Sequence, residues 1–215
     1  MQSSPSPSPS PSPSQSSRPT APARGRIVDA AHELMRTIGL ARATTKEIAK
    51  AAGCSEAALY KHFASKEDLF VAVLKERLPR LGPLIEGLAE APGERTVEEN
   101  LTEIARQAAL FYAESFPIAA SLYADPQLKR RHDEALRELG AGPHMPIEWV
   151  DAYLRAERGA GRVGADSDTY AAACLLLGAC AQRAFAYDMT PSGVGPRGLE
   201  EFARSVARTV IRGIA

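Results

Sequence analysis

The residues between positions 44 and 66 have types and spacing suited to nucleic-acid recognition. Two short predicted helices, Thr45–Ala52 and Ser55–Phe63, are separated by a tight turn and have the proportions of a helix-turn-helix. Gly53 stands where that turn needs a positive φ, which glycine adopts at low cost, and Ala49 is small where the helices would cross. In such a motif the second helix lies in the DNA major groove with its first turn towards the base edges. The spacing therefore predicts a DNA-reading element that begins at Ser55.

Capping residues support these helix boundaries. Thr44 and Glu47 have the spacing of a capping box, Ser55 is a favourable N-cap, and Ser65 with Asp68 repeats the pattern for the next helix. The apolar side chains expected to join the two helices of the motif are Ile48, Ala52, Cys54 and Leu59.

The elements around this motif are also predicted to be helical. A helical pattern from Arg24 to Ile38 ends at Gly39, and a fourth helix from Ser65 carries Leu69, Val73 and Leu78 on one face. Pro79, Gly82 and Pro83 are expected to weaken or end that helix. Further helices are predicted at Thr96–Ser115, Pro117–Ala124, Pro126–Leu139, Pro146–Arg158, Ser167–Asp188 and Pro196–Ile214. Because no run of alternating β-branched residues is present, we expect an all-α fold without internal repeats.

Composition excludes several classes of protein. The chain has 215 residues, and its first 17 are almost only Ser, Pro and Gln, a composition that favours a disordered arm. Three cysteines are too few for a disulfide scaffold. The longest apolar stretch, residues 170–181, is too short to span a bilayer, and no signal peptide is visible. We therefore expect a soluble, cytoplasmic protein.

The formal net charge of zero conceals an uneven distribution. Residues 24–81 contain 11 Lys and Arg against 7 Asp and Glu, whereas residues 82–215 contain 14 against 19. A basic front and an acidic rear favour a module for a polyanion joined to a part that does not touch it. A solvated surface without such a role would give a similar imbalance.

The run from Thr44 to Ser55, followed by Leu59-Tyr60-Lys61-His62-Phe63 and by Ser65 to Phe70, closely resembles the TetR family of transcriptional regulators. The specific match covers residues 27–70, and the remainder agrees in helical character and length. The resemblance implies a three-helix DNA-binding domain, a connecting fourth helix and a larger C-terminal helical ligand-binding and dimerisation domain. It also implies a homodimer and a small-molecule pocket whose occupancy releases DNA. The expected division is an arm at 1–23, a helix-turn-helix domain at 24–70 and the larger domain at 71–215.

The resemblance also implies roles for individual residues. The positions that match phosphate-clamping places in the family are Thr45, Ser55, Tyr60, Lys61, His62 and Lys66. Hydroxyls, helix N-terminal amides and cations all suit phosphate oxygens, and Arg24, ahead of the first helix, would reach phosphate or the minor groove or would simply be solvated. Base reading would fall to Glu56, Ala57 and Ala58, because Glu accepts from cytosine N4 and Ala packs on a thymine methyl. The family often has glycine at position 57, so Ala57 departs from its pattern.

The larger domain offers candidates for the pocket and for the dimer. The aromatic residues expected to line a pocket for an apolar or aromatic effector are Phe111, Trp149, Tyr153 and Phe185. Each ring would also suit an ordinary core. The last two helices carry small and apolar residues on wide faces, and the resemblance implies a four-helix dimer interface built from them; packing inside a monomer is the alternative.

These features favour a dimeric repressor that binds a palindromic operator in double-stranded DNA and is released by a small-molecule effector. The alternative is a DNA-binding activator or architectural protein without an inducer. The common nucleophile, metalloprotease and nucleotide-binding motifs are missing from the sequence, and the four histidines show no metal-ligand spacing. We therefore expect no catalytic activity, no cofactor, no metal and no membrane partner.

Overall fold

The computed structural model describes residues 22–90, 93–138, 140–187 and 195–214. The predicted arm lies outside the described residues, apart from its last two positions. The described part of the chain contains helices and no strand, which confirms the all-α prediction. The helices are α1 Ala23–Ile38, α2 Thr45–Ala51, α3 Glu56–Tyr60, α4 Lys66–Glu76, α5 Leu81–Glu90, α6 Val97–Tyr123, α7 Pro126–Glu138, α8 Met145–Gly159, α9 Thr169–Tyr187 and α10 Leu199–Ile214.

Two apolar clusters hold the helices together. The front cluster joins α1 to α4, and it also takes in Ile118 and Leu122 from the end of α6 and Leu136 from α7. The rear cluster joins α5, the first part of α6, α8, α9 and α10. Helix α6 therefore contributes to both clusters, and its length of 27 residues lets it run from one to the other.

Prediction of two helices around Pro117 was wrong. The predicted segments Thr96–Ser115 and Pro117–Ala124 form the single helix α6, with Pro117 inside it. Proline removes one backbone donor and so leaves the carbonyl of Ala113 without its helical partner. Ala113 is exposed, where solvent can supply another partner. The buried residues Ala109 and Ile118 on either side keep the helix packed through this point.

Helix α5 was missed because Pro79, Gly82 and Pro83 were interpreted as a break. Pro83 is the third residue of α5, where its missing N–H has no helical partner to lose. Gly82 is buried, and a Cβ at that position would lie 3.0 Å from the ring of Trp149. A side chain at position 82 would therefore need the Trp149 ring of α8 to shift by a few tenths of an ångström, and Gly82 and Pro83, which suggested an end, in fact lie in the first turn of a helix.

Candidate functional site

The helix-turn-helix is formed by α2 and α3, which pack against α1. The capping box between Thr44 and Glu47 begins α2, and hydrogen bonding holds the pKa of Glu47 below its usual range. Gly53 has a φ of +67°, and the amide of Cys54 donates to the carbonyl of Ala49 at 3.0 Å, which closes the turn. Ser55 then caps α3 by accepting from the amide of Ala58 at 3.1 Å. Local caps and hydrogen bonds thus define the start of α2, the turn after it and the start of α3.

The apolar side of the motif is buried as the sequence predicted. Ile48, Ala49 and Leu59 are almost fully inaccessible, and Ala52 is also buried, while Cys54 is half-buried. With that side fixed in the core, the opposite side of α3 must face solvent.

Several of the predicted DNA contacts lie on the exposed side of α3 and in the turn that follows it. Ser55, Ala57 and Tyr60 are exposed, and half of the Tyr60 side chain is accessible to solvent. Glu56 and Ala58 are half-buried. The helix ends at Tyr60 rather than at Phe63 as predicted, so Lys61 and His62 stand exposed in the turn that follows.

The hydroxyl of Thr45, a predicted phosphate contact, lies close to two other residues that are predicted to contact DNA. The Thr45 hydroxyl donates to a carboxylate oxygen of Glu56, and its oxygen lies 3.4 Å from the hydroxyl of Tyr60. A hydroxyl has one proton to donate. Thr45 can therefore donate to a phosphate only when its proton leaves Glu56.

Arg24 and Lys66 both make contacts within the protein. Arg24 forms a bidentate ion pair with Glu76 at 2.6 and 2.9 Å, and its guanidinium lies 5.2 Å from the ring centre of Phe63. Lys66 donates to the carbonyl of Ala41 at 3.4 Å, and burial lowers the pKa of its ammonium. A DNA contact by either residue would need its side chain to turn outwards, and these two contacts stay predictions.

The four aromatic residues predicted to line a pocket lie apart from one another. Phe111 packs on the front cluster, and Trp149 packs at the edge of the rear cluster. Tyr153 is buried in the rear cluster, where burial raises the pKa of its phenol. Phe185 is 71% exposed on the surface of α9. The structure does not bring these four rings to one cavity, and their role in binding stays a prediction.

A buried polar chain in the rear domain was missed by the sequence analysis. The side-chain amide of Asn100 donates to the Tyr153 hydroxyl at 2.9 Å, and the nearby Glu157 carboxylate forms an ion pair with Arg162. Asn100 and Glu157 are 2% and 1% exposed. Helical spacing could have revealed them, because Glu157 follows Val150 and Tyr153 on the apolar face of α8.

An open groove lies beside this polar chain. It encloses about 500 Å³ and lies between the loop before α6, the first turn of α6, Arg162 and Ile211 of α10. Arg162 thus contacts both the groove and the buried carboxylate.

Large apolar side chains stand exposed along α9. Tyr170, Leu175 and Phe185 are 57%, 67% and 71% exposed. The opposite side of α9, which includes Leu176 and Cys180, is buried against the rear cluster. Helix α9 therefore has apolar residues on both sides, as the sequence predicted.

Within the described residues, no group of three or more His, Cys, Asp and Glu side chains could hold a metal ion. Nor does any helix in that part of the chain have the length and apolar character to cross a membrane.

Comparison with known proteins identifies the front domain. Residues 27–73 match the family model described as bacterial regulatory proteins, tetR family. An HTH-type transcriptional regulator of Mycobacterium tuberculosis (strain ATCC 25618 / H37Rv), Rv1255c, is 46% identical over 67 residues, which are 31% of this chain and 33% of that protein. The fatty acid metabolism regulator protein of Bacillus subtilis (strain 168) is 34% identical over 77 residues, 35% of this chain and 38% of its own. These matches span about a third of the length of each relative.

Solved structures extend the likeness of fold to the rear domain. The fatty acid degradation regulator FadR from Bacillus halodurans has a TM-score of 0.64 and 20% identity over 90% of this chain and 97% of its own. FadR from Bacillus subtilis was solved in complex with stearoyl-CoA. It has a TM-score of 0.63 and 21% identity, and the match covers 89% of this chain and 99% of that chain. A TetR-family regulator from Mesorhizobium loti has a TM-score of 0.65 and 23% identity, and the match covers 90% of this chain and 96% of that chain. The resemblance to the TetR family is confirmed over residues 27–73, which match that family's model, and the chain as a whole shares the fold of TetR-family structures.

Proposed function

We propose that this protein is a transcriptional repressor that binds a palindromic operator as a homodimer and leaves it when a small apolar effector binds. The observation that carries the proposal is the TetR-type helix-turn-helix, in which Ser55 at the start of α3, Tyr60 at its end, and Lys61 and His62 in the turn that follows are exposed to solvent. A capped helix N-terminus with exposed hydroxyl and cationic groups around it is suited to phosphate, and the first turn of α3 is placed to meet base edges.

The apolar outer side of α9 would form the contact of a two-fold symmetric dimer. A palindromic operator needs two recognition helices about one turn of DNA apart, roughly 34–36 Å, and a homodimer supplies them. The exposed side chains of Leu175 and Phe185 favour pairing of α9 with the same helix of a second chain, because neighbouring large apolar side chains are rarely left exposed to water. We assign residues 24–70 to DNA binding and residues 71–215 to dimerisation and effector binding.

The effector would act on the rear domain, which has a large apolar core. Relatives and fold neighbours include regulators of fatty acid metabolism, and one of them was solved with stearoyl-CoA. A molecule with a long apolar chain is accordingly the class of effector that we propose. Release from DNA requires only that the effector bind more tightly to the dimer whose α3 helices are misplaced for the operator.

Fluorescence anisotropy with DNA from the region upstream of the gene, against scrambled DNA and over a series of salt concentrations, tests the proposal. We expect a preference for the native fragment of about 10³-fold or more and a steep loss of affinity with salt. Lys61→Ala should weaken binding and lower the salt slope by about one. The control Lys75→Ala, an equal loss of charge on the exposed side of α4, should do neither.

Each outcome of that assay has a defined meaning. Equal and weak binding to every sequence would indicate an architectural protein rather than a repressor. Specific binding that no apolar effector reverses would leave a regulator without an inducer. Failure to bind DNA at low salt would overturn the proposed role of the helix-turn-helix.

A further inference from the structure

A short hydrogen bond joins the first residues of the two helices of the helix-turn-helix. The Thr45 hydroxyl, on the first residue of α2, donates to Oε1 of Glu56, the first residue of α3, over 2.5 Å. This length is typical of a hydroxyl that donates to a charged carboxylate, which makes a stronger bond than two neutral groups do. Both side chains are half-buried, so water competes less for the contact than it would at an open surface.

Caps on both helices hold the two ends of this bond in place. Thr44, directly before Thr45, forms the capping box that begins α2, and Ser55, directly before Glu56, caps α3. Thr45 is also β-branched, which leaves its hydroxyl few rotamers. The position of the backbone and the direction of the side chain are therefore both restricted at the donor.

The bond uses only part of what the Glu56 carboxylate can accept. A carboxylate has two oxygens and about four lone-pair sites. Among the described residues, Glu56 has no ion-pair partner and no side-chain hydrogen bond other than that from Thr45. The first turn of a recognition helix meets base edges in the major groove, where the N–H donors are the exocyclic amino groups of cytosine and adenine. Such an amino group is the partner that the second oxygen of Glu56 would accept from.

The same geometry disfavours a phosphate contact by Thr45. Its hydroxyl has a single proton, which Glu56 accepts. A phosphate close enough to take that proton would lie beside the carboxylate, and the two negative charges would repel each other. The Tyr60 hydroxyl differs, because its hydrogen bond among the described residues is the 3.4 Å contact with the neutral oxygen of Thr45. Its proton can turn to a phosphate without leaving a charged acceptor.

We propose that Thr45 is a positioning residue for base reading: its hydroxyl holds the Glu56 carboxylate so that the second oxygen meets a base amino group. Ordering the glutamate before DNA binds removes rotamer freedom that the complex would otherwise lose. This role replaces the phosphate contact that the family resemblance implies for Thr45. The inference rests on the proposed function, because it specifies how the same helix-turn-helix distinguishes one operator from another.

Anisotropy titrations with operator duplexes that carry each of the four base pairs in turn at every half-site position test this assignment. Glu56→Ala identifies the position that Glu56 reads, where wild-type protein should prefer cytosine or adenine, and the set shows which of the two is bound. Thr45→Val keeps the shape of the side chain but removes the hydroxyl. We expect it to reduce that preference by roughly fivefold, the scale of one ordinary hydrogen bond. Thr45→Ser retains the hydroxyl and should restore the preference.

Three further comparisons separate positioning from other roles. In the Glu56→Ala background, Thr45→Val should change the base preference by less than about twofold, because no carboxylate is left to position. Tyr60→Phe, the loss of a phosphate contact, should lower the affinity for all duplexes alike. Thr37→Val removes an exposed hydroxyl near the end of α1 and should alter neither affinity nor preference.

Uniform loss of affinity in Thr45→Val, with the base preference unchanged, would overturn the proposal and make Thr45 a phosphate contact. A loss of preference that Thr45→Ser shares would also overturn it, because the hydroxyl would then not be the cause. Thr45→Ala, which also lacks the hydroxyl, decides the question if the valine variant does not fold. Wild-type protein that binds every duplex equally would refute the proposed function as well, whereas specific binding without an effect of Thr45 on base preference would refute this inference alone.

Discussion

The hydroxyl of Thr45 is shared between two residues for which different roles in DNA binding are predicted. It donates to Glu56, the predicted base reader, and lies near the hydroxyl of Tyr60, a predicted phosphate clamp. Phosphate contacts act alike on every sequence, whereas base contacts discriminate between sequences. Substitutions at Glu56 and Tyr60 should therefore have effects of different kinds, although the two side chains are neighbours.

Tyr60→Phe removes only the phenol oxygen from the exposed side of α3. We expect weaker binding to all DNA sequences by roughly tenfold, because a hydrogen bond to a charged phosphate is lost while the ring stays. Anisotropy titrations on the operator and on scrambled DNA would measure both affinities. A loss confined to a single operator position would instead make Tyr60 a base reader.

Glu56→Ala should change which base pair is preferred at one position of each half-site. The carboxylate can accept from cytosine N4, and a contact of that kind contributes about 1–3 kcal/mol of discrimination. Affinities for operators with every base pair substituted in turn would locate the position. A uniform change across the whole set would show that Glu56 acts through Thr45 or through its charge, and the division between clamp and reader would be wrong.

At the scale of elements, local signals predicted the front domain well and the rear domain less well. Thr44 and Ser55 cap amides only three residues away, and Gly53 supplies a positive φ at its own position. Such local effects can be predicted from sequence. Pro117 and Pro83 were both interpreted as helix breaks. Pro83 instead lies in the first turn of α5, where its missing N–H costs nothing, and α6 continues through Pro117 because Ala109 and Ile118 on either side are buried. The packing of such neighbours, which comes from distant parts of the chain, cannot be predicted from the local sequence.

The candidate sites follow the same division. Most of the residues predicted to contact DNA share one short motif, and Ser55, Ala57, Tyr60, Lys61 and His62 are exposed there. The polar chain that includes Asn100 and Arg162 joins residues more than fifty positions apart, and only the packing of α6 on the rear helices brings them together. A polar residue on an apolar helical face was the available signal for Asn100 and Glu157.

The packing of α7 on α4 should depend on pH through His132. Its imidazole is buried edge-on against Phe70, with ring centres 4.5 Å apart, and Nδ1 has no hydrogen-bond partner in the described part of the chain. Burial lowers the pKa of His132, although Asp133 and Glu67 act to raise it and Lys129 acts to lower it further. As the pH falls below about 6.5, the unfolded chain therefore takes up this proton before the folded protein does. Stability contributed by the neutral imidazole is lost as the pH falls through that window.

His132→Phe should flatten the dependence of the free energy of unfolding on pH between 7 and 5. Urea denaturation at several pH values measures it, and the range stays above that in which carboxylates with lowered pKa values, such as Glu76 and Glu103, lose their contribution. His144→Gln changes an exposed histidine and should leave the wild-type slope. Equal slopes for wild type and His132→Phe would refute the assignment.

At the scale of the whole molecule, α6 joins the two proposed binding functions. Its first turns form a wall of the groove, and its last turns place Ile118 and Leu122 in the front cluster. A helix of 27 residues is about 40 Å long. A shift of its first turns by an effector would be transmitted as a movement of a packed element of the front cluster, which also holds α1 and α4.

The outer side of α9 is where we expect the second copy of the chain to bind. Leu175 and Phe185 are exposed there, and Gly178 between them leaves room for a close approach of two helices. Leu175→Glu would bring two carboxylates together across the two-fold axis of the proposed dimer. Because a buried, unpaired charge costs about 3–5 kcal/mol, the dissociation constant of the dimer should rise by roughly 10² to 10⁴-fold. Sedimentation equilibrium measures this change, and affinity for the full palindrome should fall towards that for a half-site.

Tyr123→Glu is the matched control, because Tyr123 is 77% exposed at the far end of α6. A dimer of unchanged stability in Leu175→Glu would place the two-fold axis elsewhere on the molecule.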